Sequence, residues 1–291
     1  MSFKEIIGNN NVKEFIEEQV KNDHVLHSYL FVGIDGIGKK LFAREFARKI
    51  LCINKENQEN CSSCIKFRDN NHPDFKQIEP ENGVIKIETI RNLQQEIAQK
   101  PIASSKKVYL IINSDAMTRE AQNCLLKTLE EPPEYATIIL TTANEAKLLN
   151  TIKSRCIKIS FAPINKKEIK IKLKEILQEQ PNEELIDKSQ GSLGRAVKLQ
   201  ENKEIYRQVD NILVNMNSQS IVTLFNDSEV LYKEKEKIQE ILEYIEIYLF
   251  ETKDMKMIDK IQYVEETKKR ILLNSNYDMC IDYLLMKLSE S

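Results

Sequence analysis

Between residues 28 and 161, short apolar runs alternate with amphipathic stretches. Tyr29-Leu30-Phe31-Val32, Val108-Tyr109-Leu110-Ile111-Ile112 and Thr137-Ile138-Ile139-Leu140 are β-prone runs of four or five residues. They carry no polar alternation, so they read as strands buried on both faces. The patterns over about 39–51, 88–99, 118–130 and 146–153 predict helices, and Cys156–Phe161 predicts a further strand. Buried strands alternating with helices predict a parallel α/β domain over residues 1–161. From residue 203 the pattern changes. Ile238, Ile241, Leu242, Ile245, Leu249 and Phe250 recur at three- and four-residue spacing, which predicts an all-α bundle over 203–291. Residues 162–202, opened by Pro163, predict a small helical unit. Ile169, Ile171 and Leu173 alternate with charges as a strand would, but Ile176 and Leu177 extend a helical face, and helix is the prediction.

Composition sharpens this division. Only seven of the 291 residues are glycine, and three of them, Gly33, Gly36 and Gly38, fall within six residues. Residues 195–291 hold neither Gly nor Pro, so nothing there forces a backbone break. The 43 Lys and Arg against 45 Asp and Glu give a net charge of −2, which excludes a strongly basic nucleic-acid coat. The balance is uneven: 201–291 carries 12 basic and 18 acidic residues, leaving 31 and 27 in residues 1–200. No apolar run approaches the ~18 residues of a membrane span, and Met1–Asn10 shows no charged-then-apolar signal pattern. A cytoplasmic protein is expected, with its six cysteines reduced unless they bind metal.

Gly33-Ile34-Asp35-Gly36-Ile37-Gly38-Lys39-Lys40 follows one predicted strand and opens one predicted helix. This is phosphate-loop spacing, in which backbone N–H groups turn toward phosphate oxygens and the lysine reaches the terminal phosphates. The last position departs from the pattern: Lys40 stands where a Ser or Thr hydroxyl would coordinate Mg²⁺. The run 108–112 is where a second strand should end in an acid pair, yet it continues into Asn113-Ser114. Asp115 lies two residues beyond, about 6–7 Å too far along if the strand stays extended. A degenerate loop that does not manage Mg²⁺ and water is the expectation, so ATP hydrolysis by this chain is not expected.

Cys52, Cys61 and Cys64 lie between the loop helix and the next strand, and Cys61-Ser62-Ser63-Cys64 has the spacing of a zinc knuckle. Structural zinc takes four ligands, and His72 is the nearest further donor. A thiolate trio completed by water or His72 and a metal-free remnant both fit. Cys124, Cys156 and Cys280 read as small core residues.

Phe3 with Ile6-Ile7-Gly8, His27-Ser28-Tyr29-Leu30-Phe31, Asn71-His72-Pro73-Asp74, Leu125-Leu126-Lys127-Thr128-Leu129-Glu130-Glu131-Pro132-Pro133 and Ser154-Arg155-Cys156 resemble the AAA+ clamp-loader subunits of bacterial DNA polymerase III. The altered acid pair and Gly191-Ser192-Leu193-Gly194-Arg195-Ala196-Val197 resemble the member of that family that does not hydrolyse ATP. The motifs span residues 3–197, and the C-terminal helices fit the family by type. The resemblance implies a five-subunit ring that opens and closes the sliding clamp around primer-template DNA. It implies contact with the delta subunit on one side and an ATP-bound tau or gamma subunit on the other. Residues 162–202 would be the lid domain and 203–291 the collar that holds the ring together. Arg155 would be an arginine finger acting in trans, although an isolated arginine at a helix end, read without the resemblance, is better taken as a capping or salt-bridge residue. Arg195 matches a nucleotide-sensing position, with a local salt bridge as the alternative. The family's zinc module, here about residues 52–67, uses a fourth cysteine where this chain has Phe67. Asn123 and Lys127 would lie on the subunit-contact helix. The lysines at 166, 167, 170, 172 and 174 read as a solvated helix face, with an approach to DNA phosphates as the alternative.

Two rival readings have signatures of their own. An active ATPase of tau/gamma type needs Ser or Thr at 40 and Asp-Glu at 113–114. A zinc-dependent nucleic-acid binding module needs a fourth metal ligand and a basic surface.

Overall fold

The computed structural model describes residues 3, 5–54, 61–216 and 218–290. The predicted cysteine module, about 52–67, therefore falls partly outside the described residues, at 55–60. The chain forms two compact units: Met1–Glu179 with Gly191–Arg195, and Gln180–Gln190 with Ala196–Ser291. Residues 162–202 contribute to both. No helix among the described residues is long and apolar enough to cross a membrane.

The first unit is built on five parallel strands: β1 (Ser28–Val32), β2 (Phe75–Ile78), β3 (Lys107–Ile111), β4 (Ala136–Thr142) and β5 (Ile157–Ser160). Their order is β2-β3-β4-β1-β5, with Ser28 opposite Ile138 on β4 and Tyr29 opposite Ile157 on β5. The accompanying helices are α1 (Asn10–Lys21), α2 (Lys39–Leu51), α3 (Ser62–Arg68), α4 (Ile87–Ile97), α5 (Arg119–Glu130), α6 (Asn150–Lys153) and α7 (Lys166–Leu177). Successive residues of β1 feed opposite faces, which is why the run is apolar throughout. Leu30 joins the core beneath α4 and α5, with Ile90, Leu93, Leu125 and Ile138. On the other face Tyr29 meets Phe46 of α2 at 5.0 Å between ring centroids. Phe31 meets Phe161, which meets Phe42 of α2.

Three elements differ from the sequence expectation. β2 is not among the predicted strands; Phe75-Lys76-Gln77-Ile78 is half polar because it lies at the edge of the sheet and, among the described residues, pairs with β3 alone. The helix expected over 146–153 is broken into a 3-10 turn, Glu145–Lys147, and α6. Gln122 replaces the missing helical bonds: its Oε1 accepts the Leu149 N–H at 2.8 Å and its Nε2 donates to the Lys147 carbonyl at 3.1 Å. Phe250, placed on the buried stripe by its spacing, is 61% exposed. The alternating segment 166–177 is helical: Ile169 and Leu173 are fully buried and Ile171 faces solvent.

The second unit is helical: α8 (Glu183–Lys188), most of α9 (Leu193–Glu201), α10 (Lys203–Asn215), α11 (Ile221–Asp227), α12 (Glu229–Lys233), α13 (Ile238–Glu251), α14 (Met255–Asp259), α15 (Ile261–Leu272) and α16 (Tyr277–Ser289). Ile241, Leu242, Ile245 and Leu249 of α13 pack with Val264 of α15 and Ile281, Leu284 and Leu285 of α16. Side-chain caps start several helices: Asn276 accepts the Met279 N–H at 3.0 Å and Ser220 the Thr223 N–H at 3.3 Å.

Candidate functional site

The glycine loop occupies the turn from β1 into α2. Gly36 (φ +73°) and Gly38 (φ +102°) hold left-handed backbone, which bends the loop so that α2 starts at Lys39. Lys39 is 5% exposed. Its ammonium donates to the carbonyls of Gly33 at 2.6 Å and Ile34 at 3.0 Å and lies 3.5 Å from Asp35. Burial lowers its pKa, opposed by the charges of Asp35 and Asp115. Lys39 thus satisfies the loop's own carbonyls. The segment Gly191–Arg195 also lies on the loop. Ser192 Oγ donates to the Asp35 carbonyl at 2.6 Å, and the Gly194 N–H to the Gly36 carbonyl at 2.9 Å. Ser192 Oγ in turn accepts the Arg195 N–H. A Cβ at Gly194 would sit 2.8 Å from the Gly36 Cα, so only glycine permits this backbone approach. Gly194→Ala is expected to destabilise the first unit by about 1–3 kcal/mol, read as a lowered midpoint in thermal unfolding.

Lys40 forms an ion pair with Glu79, 2.6 Å from its Oε1, just past the end of β2. The Lys40 hydrogen bond holds the Glu79 carboxyl below the ordinary carboxylate range. At the end of β3, Asn113 is left-handed (φ 50°) and starts the 3-10 turn Ser114–Ala116. Its N–H donates to Thr141 Oγ1. Ser114 is fully buried, and its hydroxyl donates to the Thr141 carbonyl at 3.0 Å. The turn corrects the extrapolated position of Asp115: the chain is no longer extended there, and the carboxylate folds back to accept the Thr142 hydroxyl at 2.7 Å. It thereby acts on the Lys39 charge. From sequence alone Asp115 is too distant and Thr142 is not identified, because their meeting depends on the turn and on β4 lying beside both β1 and β3.

Arg155 lies at the other end of the sheet. It precedes β5, whose Ile157 pairs in parallel with Tyr29 at the start of β1, whereas the glycine loop follows Val32 at the end of β1. About 13 Å of strand separates the two ends. Ser28 Oγ pins the Arg155 carbonyl at 2.6 Å. Ser154 closes α6, and its hydroxyl donates to the Thr151 carbonyl at 3.1 Å. The Arg155 guanidinium donates to the Thr151 carbonyl at 2.9 Å and pairs with Glu130 at 2.8 Å, with the arginine side chain 34% exposed. Cys156 is half-buried, and burial pushes its thiol up to about 11.

The sulfurs of Cys52, Cys61 and Cys64 lie within 4.8 Å of one another, with Cys52 and Cys61 at 3.7 Å. Cys61 caps α3 and accepts the Cys64 N–H. Burial raises the Cys61 thiol pKa, but hydrogen bonds from Cys64, Ile53 and Cys52 outweigh that and lower it to about 7. Burial pushes Cys64 up to about 12. Three thiolates suit a thiophilic metal such as zinc, but His72 does not complete the set. Its Nδ1 accepts the Asp74 N–H at 3.1 Å, so Nε2 carries the proton toward Ser63 Oγ at 2.8 Å, whose own proton goes to the Leu51 carbonyl. Neither nitrogen has a lone pair to spare. Asp74 is 1% exposed and accepts the N–H groups of Ile102, Ala103 and Ser104. The His-Pro-Asp segment is therefore a structural anchor. Phe67 is buried beside Phe75, 4.6 Å between centroids.

The family model for "DNA polymerase III, delta subunit" matches residues 8–165. The DNA polymerase III subunit delta' of Bacillus subtilis is 26% identical, covering 96% of this chain and 95% of that protein. The tau/gamma subunit of Haemophilus influenzae is 32% identical over 62% of this chain, which spans 26% of that longer protein. A crystal structure of a DNA polymerase III gamma subunit-related protein from Thermotoga maritima superposes with a TM-score of 0.53 at 18% identity, covering 94% of this chain and 98% of that one. At that identity the likeness shows the fold alone. A family match over more than half the sequence, with a near end-to-end correspondence to a delta' subunit, establishes that the chain belongs to the DNA polymerase III delta-type family and is a delta-prime-like clamp-loader subunit.

Proposed function

We propose that this chain is a non-hydrolysing subunit of the clamp loader that helps place the sliding clamp on primer-template DNA and supplies Arg155 to a neighbouring subunit's ATP. The observation that carries the reading is the position of Arg155 at the amino-terminal end of the strands, with its own glycine loop at the opposite end. A guanidinium there serves a phosphate bound by another chain. Its planar, permanent charge suits a phosphoryl group whose charge spreads in the transition state. The chemistry at Lys40, Asn113 and Ser114 supports the non-hydrolysing half of the proposal. An ammonium engaged with Glu79 has no lone pair to offer Mg²⁺ where a Ser or Thr hydroxyl would, and neither Asn113 nor Ser114 can act as a general base at neutral pH. The protein acts in the cytoplasm. Its partners are the delta subunit and an ATP-bound tau or gamma subunit, with the helices of 203–291 acting as collar; the clamp and DNA are met through the assembled ring.

The isolated chain is expected to show no Mg²⁺-dependent ATP hydrolysis. Steady turnover at rates ordinary for this superfamily would assign it to the active tau/gamma type instead.

When bound, zinc would tie Cys52 at the end of α2 to Cys61 and Cys64 at the start of α3. Elemental analysis of protein purified without chelator is expected to find about one zinc per chain, lost in the Cys61→Ser, Cys64→Ser double variant. Absence of zinc from the unmodified protein would make the cluster a packed remnant.

A further inference from the structure

Glu130 is the last residue of α5, and Pro132-Pro133 prevents the helix from continuing. A carboxylate at that end faces the negative pole of the helix, an unfavourable position, and a cation there is favoured. The cation supplied is Arg155: its Nη2 lies 2.8 Å from Glu130 Oε1, while Nη1 donates to the Thr151 carbonyl at 2.9 Å. The Arg155 backbone is pinned on both sides, by its own N–H to the Ile152 carbonyl and by Ser28 Oγ on its carbonyl. The side chain alone is therefore left to choose a partner. Among the described residues these contacts use two of the five guanidinium N–H donors, which leaves others for a further anion. Both side chains are partly exposed, 34% for Arg155 and 49% for Glu130, so an anion arriving from solvent can compete.

From this geometry we infer that Glu130 is a positioning residue for Arg155, a built-in carboxylate that holds the guanidinium until the triphosphate of a neighbouring chain displaces it. The inference rests on the in-trans reading of Arg155 and adds a residue to it. Glu130 neutralises the arginine in the separate subunit and sets the threshold a triphosphate must exceed, since the phosphate must break an existing ion pair before it gains the same charge. The residue acts on binding. Once the guanidinium has moved to the phosphate, the transition state feels Arg155 alone. Glu130→Gln keeps shape and hydrogen-bonding capacity while removing the charge.

The test uses the reconstituted clamp loader with its other ATP sites disabled, measuring ATP hydrolysis against ATP concentration with wild type, Glu130→Gln, Arg155→Ala and the double variant. Glu130→Gln is expected to lower the half-saturating ATP concentration by about two- to fivefold, the range for a partly exposed ion pair, with the maximal rate unchanged. In the Arg155→Ala background the same substitution is expected to change nothing. A Glu130→Gln complex with an unaltered or raised half-saturation, beside an Arg155→Ala complex that is slowed, would overturn the role of Glu130 and leave the finger standing. An Arg155→Ala complex with wild-type turnover would overturn both. A shift from Glu130→Gln that persists without Arg155 would also overturn the inference, because the carboxylate would then be acting through some other group.

Discussion

Arg155→Ala in the assembled clamp loader is expected to slow ATP hydrolysis at the adjoining site by about 10³-fold, the lower end of the range for an arginine finger. Because the ring contains other ATP sites, the total rate falls only by that site's share; single-turnover measurements on a ring with the remaining sites disabled read the full effect. Assembly should survive. Among the described residues the guanidinium is bound by one carbonyl and one partly exposed carboxylate, and the backbone contacts of residue 155 do not involve its side chain. Arg155→Lys should recover little of the rate, since a compact ammonium cannot span two phosphoryl oxygens as the planar fork does. A ring with Arg155→Ala that turns over at the normal rate would reduce Arg155 to the salt-bridge residue that an isolated arginine suggests.

Lys188→Met is expected to cost the helical unit about 1–3 kcal/mol, at or below the lower end for breaking a buried ion pair, because the Asp210 side chain keeps 24% of its surface exposed. Lys188 is 8% exposed and joins three helices. From α8 its ammonium donates to both carboxylate oxygens of Asp210 on α10, at 2.8 and 2.9 Å, and to the Tyr244 hydroxyl on α13 at 2.6 Å. Tyr244 completes the triangle by donating to Asp210 at 2.7 Å. Its own pKa is driven upward by burial and by the Asp210 carboxylate. Removing the lysine leaves Asp210 charged and with one donor in place of two. Chemical denaturation of the whole chain should show an earlier transition for the helical unit, and Asp210→Asn on top of Lys188→Met should restore part of the loss. Equal midpoints for Lys188→Met and wild type would mean that the network adds nothing beyond packing.

Much of the first unit was legible because its strands are buried on both faces. Leu30 and Tyr29 serve different cores, so β1 must be apolar from Tyr29 to Val32. The edge strand β2 has no such requirement and left no apolar run. The break at Leu148-Leu149 was equally invisible. Gln122, on a different helix, supplies the hydrogen bonds that make it possible. Of the candidate site, the glycine spacing and the Ser-Arg-Cys triplet were readable as local patterns. The fate of His72 was not: its spacing from the cysteines suggested a ligand, but Ser63 and the Asp74 backbone claim both ring nitrogens.

The sequence by itself determined where the backbone can turn tightly, which runs must be buried, and which residue types are missing from the phosphate-handling positions, since each is a property of a residue and its near neighbours. The tertiary structure alone decided that Arg155 lies at the far end of the sheet from its own loop, that Glu130 holds it, that Asp115 folds back onto Thr142, and that Gly194 rests on Gly36. These depend on strand order and on contacts between segments distant along the chain. Local periodicity carries no information about such contacts, because they are fixed only when the separate apolar faces find one another.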